Sequence, residues 1–120
     1  MSFRFITPTI HGILDYTAAL ALIIAPFMLP IRTDSEFVHW FSIAAGIGLI
    51  TYSLFTDYRF SMKGVFSYKN HLLLDMTASI AFIVLAFLHQ GSMLTFSYCL
   101  IMGGGVLVVI GLSKNQQTND

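Results

Sequence analysis

Four long apolar runs constrain this chain more than any other feature. They extend from about Thr9 to Met28, Phe37 to Thr56, Asn70 to Leu88 and Leu94 to Leu112. Crossing ~30 Å of hydrocarbon takes about 20 mostly apolar helical residues, and each run meets that length. None shows the strict period-two alternation of a barrel strand, so helices are predicted. Most of the charged residues fall between or beyond the runs, in Arg32-Thr33-Asp34-Ser35-Glu36, in Asp57–Lys69 and after Leu112. Composition agrees. Of 120 residues 56% are hydrophobic and 10% charged, with no net charge and one cysteine, Cys99. A soluble domain is nearer ~25% charged, so a soluble globule, a disordered chain and a disulfide scaffold are excluded. A nucleic-acid partner is also excluded, because no basic excess exists. The partner implied is the lipid bilayer. The expected fold is all-α: a single membrane domain over 1–120, with four transmembrane helices.

Positive charge sets orientation. Arg4, the middle-linker residues Arg59, Lys63 and Lys69, and Lys114 share one side, and Arg32 stands alone on the other. Both termini and the middle linker are therefore expected in the cytoplasm, with the protein in an inner membrane. Met1-Ser2-Phe3-Arg4 resembles a short signal-peptide start. No small-x-small cleavage site follows, and Pro26 and Pro30 close the run, so the first span is expected to be retained. The tail from Ser113 to Asp120 is expected to fray.

The chain repeats itself. Shifted by 60 residues, His11 falls on His71, Leu14 on Leu74, Asp15 on Asp75, Thr17 on Thr77, Ala18 on Ala78 and Ala21 on Ala81. Coincident Leu and Ala are cheap in apolar helices, but coincident His, Asp and Thr are not. Runs two and four match at an offset of 57, which puts Gly46 and Gly48 on Gly103 and Gly105. The halves, about 9–58 and 69–114, are helical hairpins. Each has an even number of spans, so the repeat is parallel.

Intramembrane ionisable residues are costly and face partners or function. His11 and Asp15, like His71 and Asp75, are four apart and share a helix face. One reading is a local His–Asp pair closing each helix start, with the acid favoured at the positive helix end. The alternatives bring the four together. They form a ligand- or partner-binding cluster, bind a transition metal (zinc, iron or manganese), or use His11 and His71 as axial ligands of a haem. In a last alternative, Asp15 and Asp75 cycle protons in a small transporter. The favoured function is a non-enzymatic membrane module binding a ligand or partner through this cytoplasmic-side cluster. No nucleophile–base pair, phosphate loop or complete metal signature names a reaction.

Lesser features read as structure. Asp57-Tyr58-Arg59 is a membrane-surface anchor, with Asp57 a weak extension of the cluster. Trp40 is an interfacial aromatic, His39 and His89 are solvated, and Cys99 is a packing residue. Ser42 and Gly46, and Ala44 and Gly48, have small-x-x-x-small spacing for close helix contact, within the chain or in a homo-oligomer or larger membrane complex. Gly103-Gly104-Gly105 weakens its helix and is a candidate kink or cofactor contact.

His11-Gly12-Ile13-Leu14-Asp15-Tyr16, followed by Ile24-Ala25-Pro26-Phe27, resembles the SPW-repeat family of small bacterial membrane proteins. Their Ser-Pro-Trp triplet corresponds here to Ala25-Pro26-Phe27. The second half has Leu85-Ala86-Phe87 without the proline. The resemblance implies a paired-helix fold and no activity. In length and span number the chain is also similar to the small multidrug-resistance transporters, whose lone membrane acid would correspond to Asp15.

Overall fold

The computed structural model describes residues 6–55 and 68–113. Four long helices are joined by one short one: α1 (Pro8–Met28), α2 (Ile31–Asp34), α3 (Glu36–Leu54), α4 (Tyr68–Leu88) and α5 (Met93–Leu112). The four long helices are each long and apolar enough to cross a membrane. No strand is present among the described residues, only an isolated parallel bridge between Ile6 and Ser113. Asp57, Tyr58, Arg59 and Lys63 lie outside the described residues.

Helix starts follow from capping chemistry, since the first four N–H groups of a helix lack internal partners. Thr7 accepts from the Ile10 N–H, Ser35 from Val38 and Ser92 from Thr95. Hydroxyl residues at the N-cap supply this acceptor. Short α2 turns the chain between α1 and α3 and is pinned by Ile31, which is fully buried.

Pro26 does not end α1, which continues to Met28. A proline inside a helix removes the N–H that would reach the carbonyl four residues earlier. That carbonyl belongs to Leu22, and the Ser42 hydroxyl of α3 donates to it at 2.8 Å. Because the Ser42 proton is committed there, the Tyr98 hydroxyl of α5 donates to Ser42 Oγ, at 2.5 Å. One proline-freed carbonyl thus ties three helices together.

α1 packs chiefly on α3, and α4 on α5, giving two hairpins. The small residues of the seams sit at equivalent places. A Cβ on Gly46 would lie 2.8 Å from the Ala19 carbonyl, and one on Gly103 2.7 Å from the Ser79 carbonyl. Gly104 and Gly105 meet nothing within 4 Å, and the helical assignment of α5 continues through all three glycines. Between the hairpins lies an apolar core that includes Ala19, Leu22, Leu49, Phe82, Leu85, Ala86 and Cys99. Outward positions carry large apolar side chains such as Leu20, Ile24, Leu73, Ile80 and Ile101. Such an exterior suits lipid rather than water.

At the end of the bundle that holds α2, the structure differs from expectation at His39. It is buried, not solvated, and stands edge-on to Phe27 and Trp40 with ring centroids 5.1 and 4.7 Å away. His39 stands in helical register with Ser42, Gly46, Leu49 and Ser53, on the buried face of α3. His89 is half-buried and bonds through Nδ1 to the Leu85 carbonyl at 2.8 Å. Trp40 remains half-exposed under the Arg32 guanidinium, as an interfacial aromatic does. Asp34 accepts from the hydroxyls of Ser92 at 2.6 Å and Thr95 at 2.7 Å. These donors hold its carboxyl below the usual carboxylate range.

Candidate functional site

At one end of the bundle, α1 and α4 begin and α3 and α5 finish. His11 and Asp15 come from the first half of α1, and His71 and Asp75 from the first half of α4. All four are buried, the two histidines completely. One ligand atom from each lies within 4.8 Å of every other. The repeat has brought its two copies of the motif face to face.

The partners cross between the halves. His11 Nε2 is 2.9 Å from Asp75 Oδ2 and 3.1 Å from Asp15 Oδ2. His71 Nε2 makes its closest contact with Asp15 Oδ2 and lies 3.3 Å from Asp75 Oδ2. Each imidazole therefore lies nearer the carboxylate of the other helix than the one four residues along its own. The local contacts of each helix are present, at 3.1 and 3.3 Å, and closer ones across the helices join the four side chains into a shared ring. In a helix, residues four apart stand side by side and point outward together. A partner on a facing helix is met head-on. The rings of His11 and His71 stand edge to face, 5.5 Å between centroids.

Two residues that sequence reasoning missed fix the ring from behind. Ser113, expected to fray, is fully buried as the C-cap of α5. Its hydroxyl donates to the Val109 carbonyl at 2.6 Å, and its oxygen lies 2.8 Å from His11 Nδ1. The only Ser113 proton is used, so Nδ1 of His11 is the donor and carries a proton. Nε2 of His11 is then either protonated, as in an imidazolium, or a lone pair turned toward the carboxylates. Behind Asp75, the Tyr52 hydroxyl donates to Oδ1, and its ring stands edge-on to His71 at 4.7 Å. A tyrosine within an apolar run was the one available signal for that contact. Ser113 gave none, because it stands first in a polar tail.

Asp15 and Asp75 differ in what surrounds them. Asp75 uses both oxygens, Oδ2 in the ring and Oδ1 for Tyr52. Asp15 uses Oδ2 alone, for His71 and His11.

The fold and this cluster define a membrane-type helical protein with a buried His/Asp site. The chain matches no protein-family model, no curated protein and no solved structure.

Proposed function

We propose that the protein is a small non-enzymatic membrane binding protein whose ligand is a divalent transition-metal ion held by His11, Asp15, His71 and Asp75. The carrying observation is the convergence of two Nε2 and two Oδ2 atoms on one buried point. Imidazole with carboxylate suits zinc, iron or manganese. Tetrahedral zinc with bonds of ~2.0–2.2 Å holds its ligand atoms ~3.4 Å apart, so an ion would lengthen the ring contacts, now 3.3 Å or less, and draw in the separations across the ring, now up to 4.8 Å. Metal-binding histidines commonly give their other nitrogen to an oxygen partner, and ligating carboxylates are themselves hydrogen-bonded. Ser113 on His11 and Tyr52 on Asp75 fill these roles. An ion at the centre also meets the Nε2 lone pair left when His11 is protonated only at Nδ1.

The geometry favours an ion over the other readings. A haem between His11 and His71 would need its macrocycle where the two carboxylates lie against both Nε2 atoms. Transport would need a path onward through the bundle. Past Asp75 the space closes to a cavity of about 30 Å³ among residues such as Leu22, Leu49 and Phe82. The charge distribution supports an inner-membrane location with the cluster at the cytoplasmic side. The SPW-repeat resemblance belongs to the same reading, as does assembly into a homo-oligomer or larger membrane complex.

Metal analysis of the detergent-purified protein, with titration by Zn²⁺, Mn²⁺ and Co²⁺, tests the proposal. One equivalent should bind with release of protons, as metal displaces them from imidazole. His11→Ala should abolish binding, and Ser113→Ala and Tyr52→Phe should weaken it about 10–100-fold. Lack of saturable binding by any of these ions would overturn it.

A further inference from the structure

The repeat makes two lipid-facing grooves, and they differ at one decisive position. One lies between α1 and α5 and is lined by Thr17, Ala18, Gly105 and Val109. The other lies between α3 and α4 and is lined by the equivalent Thr77, Ala78, Gly48 and Tyr52. In the α3/α4 groove, Tyr52 reaches inward and puts its phenol on Asp75 Oδ1. In the α1/α5 groove, Val109 stands at the equivalent place and supplies no hydroxyl. That groove, of about 310 Å³, therefore runs inward as far as Asp15 and Asp75.

Asp15 Oδ1 has no hydrogen-bond donor among the described residues, although Asp15 is only 7% exposed. Among the described residues, the fully buried side-chain polar atoms without a partner are His39 Nδ1 and Nε2 and Ser53 Oγ. Asp15 Oδ1 is not one of them, since Asp15 borders the groove. A carboxylate oxygen at the end of an apolar, lipid-open groove attracts a hydrogen-bond donor carried on an apolar body. The chain itself shows the fitting donor, because its other half satisfies the equivalent oxygen with a phenol.

We propose that the α1/α5 groove is a binding site for a membrane-dissolved phenolic amphiphile. Its ring takes the place beside Val109 that Tyr52 takes in the other half. Its hydroxyl donates to Asp15 Oδ1, and its apolar tail leaves along Ala18, Gly105 and Ile101 into the lipid. A groove of ~300 Å³ or more is of the size small-molecule sites have. The site shares Asp15 with the proposed metal centre but uses the oxygen outside the ring, and it does not require the ion.

Binding of radiolabelled 4-nonylphenol to the protein in lipid nanodiscs, corrected for empty nanodiscs, tests this. 4-Nonylanisole, which has the same shape without the donor, is the competitor control. Saturable phenol binding is expected, with the anisole at least tenfold weaker. Gly105→Phe should weaken phenol binding at least tenfold by filling the groove. A side chain starts there without conflict, since a Cβ on Gly105 meets nothing within 4 Å. Val109→Tyr, which supplies the phenol from within, should do the same. Gly48→Phe, in the groove that Tyr52 already serves, should leave binding unchanged. Metal titration of the same samples separates the two proposals: phenol binding without saturable binding of Zn²⁺, Mn²⁺ or Co²⁺ overturns the metal centre alone. Equal affinity for phenol and anisole, or undiminished phenol binding in Gly105→Phe, overturns the groove.

Discussion

The seam inside each hairpin and the seam between hairpins differ in their closest contacts. Inside, α1 meets α3 at Gly46 and α4 meets α5 at Gly103, where backbones approach until a methyl group would not fit. Between hairpins, the specific ties are polar. They include the His/Asp ring joining α1 to α4, the Tyr52–Asp75 and Tyr98–Ser42 bonds, the Ser113–His11 bond, and the hydroxyls of Ser92 and Thr95 on Asp34. Lipid offers no hydrophobic gain for helix association, so close van der Waals contact and hydrogen bonds must supply it. Neighbours in sequence obtain contact from small residues. Halves separated by the long middle linker are held in register by directional bonds, and the same bonds form the site.

Breaking the polar seam should have the largest effect. His71→Ala leaves the Asp15 carboxylate without its closest partner. Removing one member of a buried charged pair costs about 3–5 kcal/mol, less where water enters. Thermal unfolding in detergent should show a loss of that order. In double-mutant cycles His71 should couple more strongly to Asp15 than to Asp75, by about 0.5–3 kcal/mol. Equal or stronger coupling within α4 would restore the local-pair arrangement and dissolve the contrast between the seams.

The glycine seam should respond next. Gly46→Ala places a methyl 2.7 Å from Ile23 Cγ1 and 2.8 Å from a backbone oxygen, and Gly103→Ala is equally crowded. Overpacking of this kind costs about 1–3 kcal/mol. Gly104→Ala, in open space on the same helix, should instead be neutral or stabilising by up to ~1 kcal/mol, from helix propensity alone. Identical melting shifts for Gly103→Ala and Gly104→Ala would remove close backbone approach as the basis of the seam.

The smallest effect belongs to the exposed tie at the end of the bundle opposite the His/Asp ring. Asp34 is held below its ordinary range by the Ser92 and Thr95 hydroxyls. A carboxyl whose folded value is depressed adds stability above its unfolded value, and that stability is lost as pH falls through the folded value. The melting difference between wild type and Asp34→Ala should therefore be present at neutral pH. It should shrink on acidification below about pH 4, the ordinary carboxylate value. A difference that grows on acidification would contradict the sign of this interaction.

Local periodicity made the spans readable, and the expected ends of α1, α4 and α5 agree with the structure to within one or two residues. Spacing named His11, Asp15, His71 and Asp75, because ionisable groups are rare in apolar helices. It did not name their partners. It also left His39 in solvent, although His39 stands in helical register with Ser42, Gly46, Leu49 and Ser53 on the buried face of α3.

By itself the sequence determined four membrane-length helices, two equivalent hairpins and four polar residues at matching depths, since each follows from covalent spacing and the helical period. Only the tertiary structure decided that His11 meets Asp75 and His71 meets Asp15. It also decided that Ser113 and Tyr52 back the ring, and that Val109 leaves one carboxylate oxygen open where Tyr52 covers the other. Those choices depend on how helices far apart in the chain rotate and settle against each other. Helix periodicity fixes which residues share a face, but the packing of small residues along the seams fixes where each face points.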